Sequence, residues 1–85
     1  MNFGDALIAV KADRKIARSG WNGKNMWIGL KRPFTYPAEG EPTHPYLYIE
    51  YPKGHPAYPN GSLVPWLASQ TDILAEDWSI LEETK

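Results

Sequence analysis

The stretch Pro65–Trp78, PWLASQTDILAEDW, decides how this 85-residue chain folds, because it places two of the four tryptophans at the ends of one short segment. Ser69 or Thr71 is a suitable N-cap for a helix that runs to about Glu76, with Asp72 in the first turn, where a carboxylate is favoured. Two roles fit the tryptophans. They close a small core, or they hold a flat ligand against the end of a helix.

The N-terminal third predicts a helix followed by a hairpin. Asn2 is a good N-cap, and apolar residues then recur at the spacing of one helical face, so we expect a helix over residues 3–12. The run KIARSGW predicts a strand, the pair Asn22-Gly23 a tight turn, and NMWIGLK a second strand. On the second strand, alternation places one set of side chains on each face: Met26, Ile28 and Leu30 on one, and Trp27 and Gly29 on the other.

Prolines interrupt the middle of the chain. Residues 32–45 and the run PKGHPAYPNG, which ends in a second Asn-Gly pair, both predict loops. Between them YLYIEY is a strand with Leu47, Ile49 and Tyr51 on one face. SLVPW predicts a short edge strand, because Pro65 cannot donate to a central ladder, and WSILEE predicts a last strand.

These elements predict an α+β fold class. A small antiparallel sheet carries an N-terminal helix and a short C-terminal helix, in the order α-β-β-β-β-α-β, within a single domain over residues 1–85. So short a chain buries a modest core, and it has no cysteine to form a disulfide. With four tryptophans, five tyrosines and two phenylalanines to share with a partner, we expect a homo-oligomer.

The composition also excludes several classes of function. No run of the sequence approaches the length of a membrane span, and no signal peptide is recognisable, so we expect a soluble intracellular protein without a membrane partner. His44 and His55 are the only histidines and no cysteine is available, so a metal site is not expected. We expect no cofactor. A net charge of −1 argues against a general nucleic-acid coat.

Charge is unevenly distributed along the chain. Lysines and arginines crowd the first 32 residues, and carboxylates crowd the C-terminal end. One interpretation is a pair of solvated faces that complement each other, within one chain or between subunits. The other is a local anion site in the N-terminal half.

The sequence carries binding features rather than catalytic motifs. It has no nucleophile elbow, phosphate-binding loop or dinucleotide fingerprint, and on a helix the adjacent Glu76 and Asp77 point about 100 degrees apart. We therefore expect a protein that is not an enzyme. Its aromatic side chains suit a flat ligand, and its cations suit an anionic one.

Each candidate binding residue has a structural alternative. Trp78 and Trp27 are expected in the core, whereas Trp21 and Trp66 lie beside turns and suit either a ligand or an interface. Three cations are candidates for a phosphate, or are ordinary solvated charges: Arg18, Lys24 and Arg32.

Two longer stretches resemble a known family. "MNFGDALIAVKADRKIARSGWNGKNMWIGL" and "GSLVPWLASQTDILAEDWSIL" are similar to the phage Thoeris anti-defence proteins of the second type, whose pattern is MNFGEAL, ARxGWNGKxM and PWLASQTDxLAEDW. Every element is present here, with Asp5 in place of the usual Glu. In the middle, residues 31–61, we identify no pattern of that family.

The resemblance implies a sponge that binds a nucleotide immune messenger without degrading it. The expected ligand is glycocyclic ADP-ribose, which Thoeris TIR proteins make from NAD. Some members of the family are also expected to take up CBASS cyclic dinucleotides. The implied assembly is a homotetramer, and the implied location is the cytoplasm of the infected bacterium.

The resemblance also implies ligand contacts. Trp21 and Trp66 would stack on the ligand, while Asn22 and Gly23 would approach it through backbone or amide groups. The remaining implied contacts are polar: Arg18 and Lys24 to the pyrophosphate, and Ser69, Gln70, Thr71 and Asp72 at the start of the helix.

Three other functions stay open. A single-stranded nucleic-acid-binding module would use the same aromatics and bind longer oligonucleotides more tightly. A protein-binding inhibitor of an immune effector would take no small molecule. A hydrolase of the signal would return an altered ligand.

Overall fold

A computed structural model describes residues 1–21, 25–32 and 44–81. The observed elements follow the predicted order: α1 (Phe3–Lys11), β1 (Lys15–Arg18), a 3-10 turn (Ser19–Trp21), β2 (Trp27–Lys31), β3 (Tyr46–His55), β4 (Tyr58–Pro65), α2 (Gln70–Leu74) and β5 (Trp78–Leu81). The predicted α+β class is confirmed. Over the same three ranges, neither helix is long and apolar enough to cross a membrane.

The five strands form one antiparallel sheet in the order β4-β3-β2-β1-β5. Cross-strand pairing aligns one row of branched aliphatic side chains across all five strands: Ile80, Ile16, Ile28, Ile49 and Val64. We call the face that carries this row the inner face. Because side chains alternate along a strand, the row explains why the predicted apolar faces of β2 and β3 lie together in the core.

Helix α1 packs on the inner face through its smallest side chains. Asn2 caps the helix as predicted, since its side-chain oxygen accepts a hydrogen bond from the backbone N–H of Asp5 at 2.8 Å. Ala6, Ala9 and Val10 are buried against the sheet. Short side chains at these positions let the helix axis approach the isoleucine row closely, so α1 covers β1, β2 and β5.

The second proline-rich run is part of a hairpin and not a loop, so that prediction was wrong. Strand β3 continues to His55, and β4 starts at Tyr58, which leaves a two-residue turn. The Asn60-Gly61 pair lies inside β4, where Gly61 takes a φ of 81°. The prolines are tolerated because β4 is an edge strand and because β3 beyond Glu50 has no partner in β2.

Two earlier predictions concern residues outside the described ranges. These are the Asn22-Gly23 turn and most of the irregular segment 32–45.

The two tryptophans expected in the core have different positions. Trp78 is 2% exposed and lies in the core cluster, as predicted. Trp27 does not, because strand alternation places it on the face opposite Ile28, where its ring contacts Tyr48 at 5.8 Å between centroids. The Nζ atom of Lys15 also lies 4.4 Å from the Trp27 ring. The assignment of Trp27 to the core was therefore wrong.

We expect Trp78→Phe to lower the free energy of unfolding by about 2–3 kcal/mol, because it removes buried volume and the hydrogen bond from Nε1 to the Asp72 carbonyl. Trp27→Phe, a matched change on the half-buried opposite face, should cost about 1 kcal/mol or less. Urea denaturation followed by circular dichroism measures both. Equal losses of unfolding free energy for the two variants would contradict the assignment of Trp78 to the core and of Trp27 to the opposite face.

Candidate functional site

An open groove lies on the inner face of the sheet beside α1. The groove is bounded by α1, by the end of β2 and the start of β3, by the segment that follows β4, and by α2. Its volume is about 770 Å³, within the roughly 300–1,000 Å³ typical of small-molecule sites. The lining residues used below are Phe3, Tyr46, Trp66, Lys11 and Arg32.

Trp66 forms an aromatic wall of this groove. Its backbone N–H donates to the carbonyl of Leu47 at 2.9 Å, which extends the β3–β4 pairing one residue past Pro65. Its ring is 6.4 Å from Phe3 and 6.1 Å from Trp78, edge-on to the latter. Backbone and ring contacts together fix the orientation of Trp66, so the groove presents a pre-positioned stacking surface.

Two cations lie at one end of the groove. Arg32 Nε donates to Asp13 Oδ1 at 3.0 Å, and Arg32 Nη2 donates to the Lys11 carbonyl at 2.8 Å. Asp13 has a φ of 67°, a left-handed conformation at the end of α1 that directs the chain towards this contact. Since a guanidinium has five N–H donors, Arg32 keeps others for a ligand, and Lys11 adds a second positive charge.

Arg18, the predicted pyrophosphate contact, is held by two carboxylates away from the groove. Its Nε donates to Asp77 Oδ1 at 2.9 Å and its Nη1 to Asp72 Oδ1 at 3.0 Å. Asp77 also accepts from the backbone N–H of Gly20 at 2.9 Å. These bonds connect β1, the 3-10 turn, α2 and the start of β5. The cation-rich and acid-rich ends of the sequence thus complement each other within one chain, as one of the two interpretations predicted.

The ion pairs lower the pKa of both carboxyl groups. For Asp77, the hydrogen bond from Arg18 is the main cause, and the Gly20 N–H adds to it. For Asp72, burial alone raises the pKa, but hydrogen bonds from Ser69 and the pairing with Arg18 outweigh it, and the net pKa is lowered. The same contacts, with Asp77 first, raise the pKa of Arg18. The cluster is therefore ionised near neutral pH.

Trp21 lies in a second, smaller depression of about 240 Å³ that also includes Arg18 and Ser79. Its ring contacts Trp78 edge-on, with 5.6 Å between centroids. Trp21 and Trp66 both pack on Trp78 but line different depressions. The structure does not bring the two predicted stacking residues together in one pocket of a single chain.

The predicted polar contacts at the start of α2 are largely used within the chain. Ser69, not Thr71, is the N-cap, and it forms a capping box with Asp72. The Thr71 hydroxyl is 2.9 Å from that of Ser69. Gln70 is exposed on the first turn, and α2 ends at Leu74, two residues earlier than predicted.

The remaining predicted contacts, Asn22, Gly23 and Lys24, lie outside the described residues. Of the predicted contacts that the structure describes, Trp66 and the candidate phosphate cation Arg32 are among the groove residues. Sequence reasoning did not assign Phe3, Lys11 or Tyr46 to a site. One signal was available, since Lys11 and Arg32 both belong to the cation-rich first part of the chain.

The described carboxylates and histidines form no group of three or more that could hold a metal ion.

The pH dependence of stability tests the Arg18 cluster. Because the folded pKa values of Asp72 and Asp77 are lowered, their stabilisation is complete above the unfolded pKa of about 4 and is lost as the pH falls through the folded values. We expect Tm to fall from about pH 5 downward as these groups protonate.

Asp77→Asn should lower Tm at pH 7, and its Tm should fall less than that of the parent as the pH is lowered. Glu76→Gln, a neighbouring carboxylate outside the cluster, is the control and should keep the parent profile. If Tm falls by the same amount in acid for Asp77→Asn and for the parent, the assignment of Asp77 to the Arg18 cluster is contradicted.

Comparison with known proteins gives two matches over nearly the whole chain. The sequence model of the Thoeris anti-defense 2-like domain family matches residues 1–81, and the match includes residues 31–61, where the motifs alone indicated no family pattern. A relative named Thoeris anti-defense 2, from Bacillus phage SP01, is 36% identical over 89 residues, which cover 95% of this chain and 94% of the relative.

Proposed function

We propose that this chain, which belongs to the Thoeris anti-defense 2-like family, counters bacterial immunity by binding a nucleotide second messenger and keeping it from its effector. The family gives the chain an anti-defence role. The proposal adds the ligand and the mechanism. Its ligand is glycocyclic ADP-ribose, with CBASS cyclic dinucleotides as a second class, and it acts as a phage protein in the cytoplasm of the infected cell.

The groove beside α1 is the observation that carries the proposal. A cyclic ADP-ribose derivative has a flat adenine, two ribose rings and an anionic pyrophosphate. Trp66 and Phe3 offer aromatic surface to the base, while Lys11 and Arg32 offer cations at one end of the same groove. Stacking and charge-assisted hydrogen bonds would then act on opposite ends of one ligand.

This assignment places the pyrophosphate at Lys11 and Arg32 rather than at Arg18. Arg18 already donates from two nitrogens to Asp72 and Asp77, and breaking these bonds would cost stability. Contacts from Trp21, Asn22, Gly23 and Lys24 stay predictions for a second site or for a site shared between subunits.

The mechanism is sequestration without chemistry. The groove residues that support the proposal are aromatic or cationic, and such groups bind a nucleotide through stacking and ion pairing. A sponge competes with an effector for ligand, so slow dissociation decides its efficiency. The fixed orientation of Trp66 and the bonds that hold Arg32 reduce the ordering cost of binding, which favours a long-lived complex.

Isothermal titration of glycocyclic ADP-ribose into groove variants tests the ligand site. We expect Trp66→Leu to weaken binding about 5- to 150-fold, because stacking on one base contributes about 1–3 kcal/mol. Arg32→Gln should weaken it by about tenfold or more and reduce the salt dependence of Kd. Arg14→Gln removes an exposed charge outside the groove lining and should stay within about twofold of the parent.

Circular dichroism confirms that each variant is folded before its affinity is compared. Full affinity in a folded Trp66→Leu variant would remove the groove as the ligand site. If the parent instead binds oligonucleotides more tightly as they lengthen, the function is that of a nucleic-acid module. If it binds no nucleotide of either kind, the function is that of a protein-binding inhibitor.

A further inference from the structure

The C-terminal end of α1 lies at the cationic end of the groove. Asp13 follows the helix in the left-handed region, with a φ of 67°, and its N–H donates to the Val10 carbonyl at 3.0 Å. The next N–H, that of Arg14, donates to the Ala9 carbonyl at 3.1 Å. These two bonds form a Schellman motif, which ends the helix and fixes the backbone that carries the Asp13 side chain.

The Asp13 carboxylate holds one edge of the Arg32 guanidinium. Arg32 Nε donates to Asp13 Oδ1 at 3.0 Å, and Nη2, on the same edge, donates to the Lys11 carbonyl at 2.8 Å. Within residues 1–21, 25–32 and 44–81, the guanidinium makes no other hydrogen bond. Its end edge, formed by N–H groups of Nη1 and Nη2, is therefore left to bind an oxyanion with two parallel hydrogen bonds.

Asp13 can act on a ligand in the groove through Arg32. Arg32 and Lys11 are among the lining residues of the groove, whereas Asp13 is not, and the Asp13 side chain is 62% exposed. So exposed an ion pair adds little to stability. Its effect is to hold a long side chain in one orientation, which that side chain would otherwise have to adopt when a ligand binds.

The same carboxylate also weakens the attraction of this end of the groove for an anion. Asp13 carries a negative charge, and the carbonyl end of a helix carries a partial one. Both lie beside Arg32, so they offset part of the positive charge that Arg32 and Lys11 provide. Asp13 therefore has two opposed effects on a bound phosphate, since its oxygen orders the guanidinium and its charge repels the ligand.

We propose that Asp13 is a positioning residue for the anionic group of the ligand. Its side-chain oxygen fixes Arg32 with the end edge of the guanidinium free, while its charge lowers the affinity. The proposal rests on the proposed function, in which the groove takes an anionic nucleotide. Two substitutions that suit the left-handed backbone separate the two effects. Asparagine keeps an oxygen acceptor without the charge, whereas glycine removes both.

Isothermal titration with glycocyclic ADP-ribose in about 0.5 M salt, where the charge effect is largely screened, tests the positioning. Asp13→Gly should weaken binding about two- to twelvefold, because one long side chain must then be ordered on binding. Asp13→Asn should stay within about twofold of the parent, since its amide oxygen still accepts from Arg32 Nε.

The charge effect is measured in about 50 mM salt. There Asp13→Asn should bind about two- to threefold more tightly than the parent, as expected when a like charge about 7 Å away in water is removed. Glu76→Gln removes an exposed carboxylate outside the groove lining and is the matched control. It should bind as the parent does at both salt concentrations.

Two further measurements show whether Asp13 acts through Arg32. In an Arg32→Gln background, Asp13→Gly and Asp13→Asn should have equal affinities in about 0.5 M salt, because the guanidinium is gone. Heteronuclear NMR of the ligand-free protein follows the Arg32 Nε–H signal, which is assigned by its loss in Arg32→Gln. This proton should exchange slowly with water in the parent and in Asp13→Asn, and rapidly in Asp13→Gly.

Circular dichroism must show the parent fold for each variant. Equal affinities of Asp13→Gly and Asp13→Asn in the high-salt titration would overturn the proposal, as would an undiminished loss for Asp13→Gly in the Arg32→Gln background. Equal Nε–H exchange in the parent and Asp13→Gly would overturn it without any nucleotide. If exchange changes as expected but the parent binds no nucleotide, the proposed function fails while the positioning of Arg32 by Asp13 is supported.

Discussion

The indole of Trp78 connects the last strand to both helices, to the Trp66 wall of the groove and to Trp21 of the smaller depression. Its Nε1 donates to the Asp72 carbonyl at 2.9 Å, and its ring packs on Phe3 at 5.3 Å between centroids. Trp66 and Trp21 contact the same ring edge-on. One buried side chain thus contacts α2, the aromatic wall of the groove and the 3-10 turn. In a small core, such a contact contributes a large share of the total stability.

This arrangement explains how so short a chain can offer a rigid binding surface. The groove is bounded by α1, α2 and the ends of neighbouring strands, and Trp66 is fixed there by a backbone bond to Leu47 and by ring contacts. Arg32 is held by Asp13 and by the end of α1. The stacking surface and the cations are therefore in place before a ligand arrives, which is the property that a sequestering protein needs.

Local patterns predicted most of the fold because each depends on residues close in sequence. The cap at Asn2, the helix after it and the alternation on β2 and β3 were read correctly for that reason. The prolines of residues 52–61 misled the prediction, since their tolerance depends on β4 being an edge strand, which only the sheet order reveals. The candidate binding site was harder to predict from the sequence than the fold. Arg18 is separated from Asp77 by 59 positions, and Lys11 from Arg32 by 21, so no local pattern shows which cation is paired and which faces the groove.

The fate of the bound messenger tests the central claim most directly. The purified protein is mixed with glycocyclic ADP-ribose, free ligand is removed, and the complex is heat-denatured before the released material is analysed by HPLC and mass spectrometry. A sponge returns the intact molecule in an amount close to the number of binding sites. An altered product would show that the protein degrades its ligand, and protein recovered without nucleotide would contradict the proposed function.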